Sequence, residues 1–108
     1  MPNVPVWAEY VAYKCYVFVE PSQLKSHWDR ARIMAEINAR GVPCYSGSCS
    51  EVYLEKAFDG TGWRPIERLP VAKELGETSL VFLVHPTLLL EHIDKTCQVL
   101  KEAMRSAA

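Results

Sequence analysis

From Tyr10 to Val19 every residue except Lys14 is apolar, and most are aromatic or β-branched; this run constrains the fold more than any other part of the chain. Near-continuous apolar character over that length predicts a strand buried on most of both faces, and hence the central strand of a small sheet. Glu20-Pro21-Ser22 ends it, because proline offers no amide hydrogen to a ladder and presets a turn.

Asp29 is suited to cap a helix running to about Arg40, with Ile33 and Ile37 on one face and Met34 beside them. Ser26 is an alternative cap, with Asp29 three residues on. Gly41 supplies the left-handed position that follows the helix. Val42-Pro43-Cys44-Tyr45 then reads as a short extended segment and Ser46-Gly47-Ser48-Cys49-Ser50 as a loop. Ser48 or Ser50 is expected to cap a short helix through about Phe58, and Asp59 to Pro65, rich in glycine, is expected to be irregular and mobile.

Pro70 suits the first turn of a helix that ends before Gly76, since its missing amide hydrogen would have had no helical partner there. Thr78 to Val84 forms a further strand, closed by His85-Pro86-Thr87. Thr87 is expected to cap a final helix on which Leu89, Ile93, Cys97, Leu100 and Met104 make one apolar stripe. With 108 residues, 49 % of them hydrophobic, the chain can enclose one core and not two. The prediction is a single α+β domain over residues 1–108: a small, mostly antiparallel sheet of about three strands with helices packed mainly on one face.

The balance of 12 Lys and Arg against 13 Asp and Glu leaves no global field to attract nucleic acid or an anionic membrane. Apolar runs such as Val81 to Val84 fall far short of the roughly 18–20 residues that cross a bilayer. Met1-Pro2-Asn3-Val4-Pro5 has neither the basic stretch nor the apolar core of a signal peptide, so a cytoplasmic location is expected. Cys15, Cys44, Cys49 and Cys97 are expected to be reduced, and the Cys44–Cys49 spacing matches structural zinc sites poorly.

Ser46 to Ser50 is the segment that looks most functional. Its small residues let backbone amides approach an anion such as phosphate, although the same residues would equally serve as a serine-rich capping loop. Cys49, near a helix start, has the chemistry of a nucleophile if His27, His85 or His92 were to supply a base, which spacing alone does not establish. His85 ends a strand, where a histidine either packs and caps or faces a ligand. Lys14 must either reach the sheet edge with its stem packed or meet an anion. Trp7, Trp28 and Trp63 lie outside the core periodicity and are candidate interface residues.

Several of these blocks, in this order, resemble the C-terminal small domain of the DegT/DnrJ/StrS family of pyridoxal-phosphate-dependent, fold-type-I sugar aminotransferases. The strand Tyr13 to Val19 resembles the one that opens that domain, and the helix followed by Gly41-Val42-Pro43 resembles its helix and Gly-Ile step. Tyr45 through Ala57-Phe58 matches the segment that in the family reads His-Tyr-x-x-Pro-Leu-His and ends near Ala-Tyr. Leu69-Pro70-Val71-Ala72, Thr78-Ser79-Leu80 and His85-Pro86 resemble its closing Leu-Pro-x-Ala and His-Pro motifs. The resemblance spans roughly residues 10 to 105.

The resemblance implies that the Ser46–Ser50 loop borders the active site of the complete enzyme. By the same alignment Lys14, Gly47 and Tyr53 fall where the family places histidines, and Val81 stands where it usually has proline. Lys14, Ser46, Gly47, Ser48, Cys49, Tyr53 and His85 are thus the residues expected near substrate or cofactor, with no catalytic residue and no metal ligand among them. In the family a large N-terminal domain carries the lysine that binds pyridoxal phosphate, the acidic partner of the pyridine nitrogen and most phosphate-binding groups. None of those blocks is present in this chain. The implied partners are that large domain, a homodimer partner and a nucleotide-linked keto-sugar, with the chain inactive alone. An alternative is a stand-alone binding or oligomerisation module built on the same fold.

Overall fold

A computed structural model of the chain describes residues 4–9, 11 and 13–108. Met1 to Asn3, Tyr10 and Ala12, and with them the predicted strand start at Tyr10, lie outside the described residues. In chain order the elements are β1 (Lys14–Phe18), α1 (Arg30–Ala39), β2 (Cys44–Tyr45), α2 (Pro70–Thr78), β3 (Ser79–Leu83) and α3 (Leu90–Ala107). Short 3-10 turns occupy Pro21–Gln23, Val52–Leu54 and Lys56–Phe58. Among the described residues the fold is α+β, with three α-helices and a three-stranded antiparallel sheet.

The first helix forms as its sequence dictates. Asp29 adopts an extended backbone, and its carboxylate accepts the Arg32 amide at 2.7 Å. Ile33 and Ile37, one turn apart, are wholly buried, and Gly41 follows the helix at φ 74°. The Asn38 side chain then grips β2, donating to the Cys44 carbonyl at 2.8 Å and accepting its amide at 3.1 Å. Both backbone groups of Cys44 are thereby satisfied at an edge where, among the described residues, no further strand pairs.

The strand order β1-β3-β2 corrects the expectation that β1 is central; β3 holds that place. Four of its five residues are buried, whereas β1 is exposed over most of its length. A pleated strand sends alternate side chains to opposite faces. Leu80, Phe82, Cys44 and the half-buried Val17 meet Ile33 and Ile37 of α1 and Val99, Ala103 and Ala107 of α3 in one core. The opposite face carries Tyr16, Phe18, Tyr45 and Leu83, all between 42 % and 56 % exposed, around the buried Ser79 and Val81. An unbroken apolar run reports that both faces are apolar, not that both are covered within the same chain.

Two helices also depart from expectation. α2 does not end before Gly76 but continues to Thr78 and passes directly into β3. Glycine is tolerated inside it because the Ser50 side chain lies where a β-carbon would stand. Arg30 caps the end of this helix, reaching the carbonyls of Gly76 and Glu77 at 3.4 Å each.

On α3 the buried residues are Val99, Ala103 and Ala107, with Leu100 and Met104 partly covered, while Leu89, Ile93 and Cys97 of the expected stripe are exposed. Only the C-terminal half of this helix lies against the core. Its end is held by Lys25, whose amide donates to the Ala107 carbonyl at 2.8 Å and whose ammonium reaches Ser106 at 3.0 Å. Thr87 is not the cap: Leu89 is, and its amide donates to His92 Nδ1 at 3.0 Å. No helix among the described residues is long and apolar enough to cross a membrane.

Candidate functional site

The loop after β2 folds back across the open face of the sheet. Ser79 Oγ of β3 donates to the Ser46 carbonyl at 2.6 Å, and the Tyr16 hydroxyl of β1 lies 3.3 Å from Ser48 Oγ and accepts the Ser48 amide at 3.4 Å. These hydrogen bonds draw the Tyr16 phenol below its ordinary pKa, the Ser48 hydroxyl contributing most. Gly47, between the two anchors, has φ 97°, and a β-carbon there would stand 2.9 Å from Tyr16 Cε1. Both the backbone angle and the close approach require glycine.

This loop forms one side of an open depression of about 370 Å³; Glu51, Arg68, Lys73, Gly76 and Glu77 form the other. Glu51 accepts two hydrogen bonds from Arg68, Nε at 2.6 Å and Nη2 at 2.5 Å, and a third from the Tyr53 hydroxyl at 2.7 Å. The Arg68 fork, helped by Tyr53, holds the Glu51 carboxyl down at about 2. In return Arg68 is shifted upward, chiefly by its hydrogen bonds to Glu51. Tyr53 is raised by burial first and by Glu51 second. Its hydroxyl also accepts the Leu69 amide at 3.0 Å, which ties this cluster to the start of α2.

The expected short helix from Ser48 or Ser50 is replaced by two 3-10 turns, and neither serine caps them. Arg64 holds these turns instead, donating to the carbonyls of Tyr53, Leu54 and Glu55 at 2.8, 2.9 and 3.0 Å and pairing with Asp59 at 2.5 Å. The irregular segment from Asp59 to Pro65 is therefore tied at both of these residues.

Of the residues singled out in the sequence, Ser46, Gly47, Ser48 and Cys49 line the depression, and Tyr53 stands behind it, bonded to Glu51. Lys14 and His85 are elsewhere. Lys14 pairs with Leu83 at the far end of β3 from Ser79, its ammonium 5.3 Å from the Tyr13 ring centre. His85 lies beyond the same end, exposed, with Nδ1 2.8 Å from Thr87 Oγ1. Cys49 Sγ donates to Glu55 Oε1 at 3.4 Å, and no histidine lines the depression, so the geometry assembles no thiol–imidazole pair there. Cys44 is buried, and burial pushes its thiol up.

Trp7 and Trp63 are 84 % and 78 % exposed. Trp28 is used within the chain: it packs on the core with the Arg32 guanidinium 4.4 Å from its ring centre. Glu51, Arg68 and Lys73 escaped the sequence reading, since nothing local marks Glu51 and Arg68, 17 residues apart, as partners.

Pyridoxal phosphate needs a lysine for attachment, an acid facing its ring nitrogen and a cradle for its phosphate. At the depression the one lysine is Lys73, half exposed and 3.9 Å from Glu77, and the Glu51 carboxylate is engaged by Arg68 and Tyr53. These residues do not fit a complete cofactor site, and the depression is open.

No protein-family model matches the sequence, and no curated relative matches it. Among solved structures the chain is similar to an aminotransferase from Psychrobacter cryohalolentis, with 60 % identity, a TM-score of 0.85 and 87 % of this chain covered. The match takes in only 24 % of that aminotransferase. In sequence and in fold the chain therefore fits a part, about a quarter, of an aminotransferase.

Proposed function

We propose that the chain is the C-terminal small domain of a pyridoxal-phosphate-dependent nucleotide-sugar aminotransferase of the DegT/DnrJ/StrS type, non-catalytic by itself. The observation that carries this reading is the 60 % identity over 87 % of the chain to a solved aminotransferase, together with the sequence motifs between Tyr13 and Pro86. In the complete enzyme the cofactor supplies the electron sink for amino transfer. The Ser46–Ser50 loop of this chain forms a wall of the cleft, where its hydroxyls and amides orient the keto-sugar. The open face of Tyr16, Phe18, Tyr45 and Leu83 packs on the large domain, an aromatic surface of the kind that calls for a partner. The enzyme acts as a cytoplasmic homodimer.

Titration of the 108-residue chain with pyridoxal phosphate, followed by borohydride reduction and peptide mass mapping, tests the non-catalytic part of this reading. Scattered, substoichiometric labelling of exposed lysines is expected. A one-to-one adduct on a single lysine would contradict it.

A further inference from the structure

Tyr53 was expected beside substrate, yet its hydroxyl is committed on both sides, donating to Glu51 and accepting from Leu69. Glu51 directly follows the Ser46–Ser50 loop, and Leu69 is the cap residue of α2. Arg68, next to Leu69, closes the arrangement with a two-pronged grip on the same carboxylate, whose side chain is only 13 % exposed. The loop's other end is held at Ser46 by Ser79, and its middle at Ser48 by Tyr16. A loop held at both ends by side-chain hydrogen bonds has its free conformations removed before any ligand arrives, which lowers the ordering cost of binding.

We propose that Glu51, Tyr53 and Arg68 form a latch that fixes the Ser46–Ser50 loop to the start of α2, so that Tyr53 is a positioning residue and not a ligand contact. The latch predicts a graded pattern. Tyr53→Phe keeps the ring and removes both hydrogen bonds of the hydroxyl; Glu51→Gln keeps the shape and removes the charge; Arg68→Lys keeps the charge and removes the fork. Its consequence for turnover rests on the small-domain reading above, but the loop's order can be measured without any activity.

The test is backbone ¹⁵N relaxation of the 108-residue chain, wild type against Tyr53→Phe, Glu51→Gln and Arg68→Lys. Order parameters of Gly47 to Ser50 should fall from values near about 0.85 to below about 0.6 in Tyr53→Phe and Glu51→Gln, while those of Ile33 and Ile37 stay unchanged. Arg68→Lys should also lower these order parameters, because an ammonium cannot reproduce the two-pronged grip on Glu51. Unaltered loop order, or a loss spread equally over α1 and the sheet, overturns the latch. When the same substitutions are placed in a complete enzyme, Tyr53→Phe should lower kcat/KM for the keto-sugar about fivefold, with cofactor affinity unchanged. A loosened loop with unaltered kcat/KM leaves the latch standing and counts against the loop as a wall of the site.

Discussion

Gly47→Ala is the substitution whose cost the geometry defines best. Two effects add. At φ 97° an alanine is strained, at a cost of about 1–2 kcal/mol. Its β-carbon also meets Tyr16 Cε1 at 2.9 Å, with Ser79 Oγ and Val81 Cγ2 at 3.4 Å behind it. Either the loop lifts or the Tyr16 ring swings outward, and both motions sever the Tyr16–Ser48 hydrogen bonds, worth about 1 kcal/mol together. The sum, about 2–3 kcal/mol, lowers the thermal midpoint of a domain this size by on the order of 10 °C or more.

Gly60→Ala is the matched control, because Gly60 has φ 71° and nothing within 4 Å of the position a β-carbon would take, so it carries the backbone cost alone. Thermal and urea unfolding followed by far-ultraviolet circular dichroism measures both. Gly47→Ala should cost more than Gly60→Ala by about 1 kcal/mol, and the excess should vanish when Tyr16 is also replaced by Ala. Equal costs for the two glycines would refute the claim that the loop is seated on Tyr16.

Three further outcomes follow from the same geometry. Glu51 titrates at about 2 in the folded chain and in the ordinary carboxylate range when unfolded, so its contribution is full above about pH 4.5 and is lost as pH falls through 2. Glu51→Gln should accordingly flatten the acid limb of the stability profile measured by urea midpoints from about pH 2 to 7; an unchanged limb would contradict the pairing with Arg68. Among the four cysteines, Cys44 should resist alkylation under native conditions by on the order of a hundredfold relative to the exposed Cys15, Cys49 and Cys97, as peptide mapping would reveal. Ile37→Ala should cost about 2–5 kcal/mol by urea unfolding, since the side chain, carried on α1, is wholly buried in the core with residues of α3 and the sheet.

What could be read from the sequence was local. Asp29 as cap, Ile33 and Ile37 as a buried pair and Gly41 as terminator all depend on residues within one or two turns of each other. The strand at Ser79–Leu83 was legible from its own composition, but its central place was not, because strand order depends on which edges meet and not on how apolar a run is. The α3 stripe misled for a related reason. Leu89 and Ile93 are apolar at helical spacing but overhang the core, and the face that packs against it includes Ala103 and Ala107, whose small side chains suit close approach. Ser46–Ser50 was legible as a loop by its glycine and serines. Its supports, Tyr16 and Ser79 from the sheet and Glu51 and Arg68 across 17 residues, join positions that only the tertiary fold brings together.

The central claim is that this chain is an interchangeable small domain, completing an active site whose cofactor is held elsewhere. Grafting tests it most directly: the matched quarter of the Psychrobacter cryohalolentis aminotransferase is replaced by this chain, and amino transfer by the purified chimera is measured beside the parent enzyme. A folded chimera that binds cofactor and turns over within about tenfold of the parent is the predicted result. A folded, cofactor-loaded chimera without turnover would contradict the account.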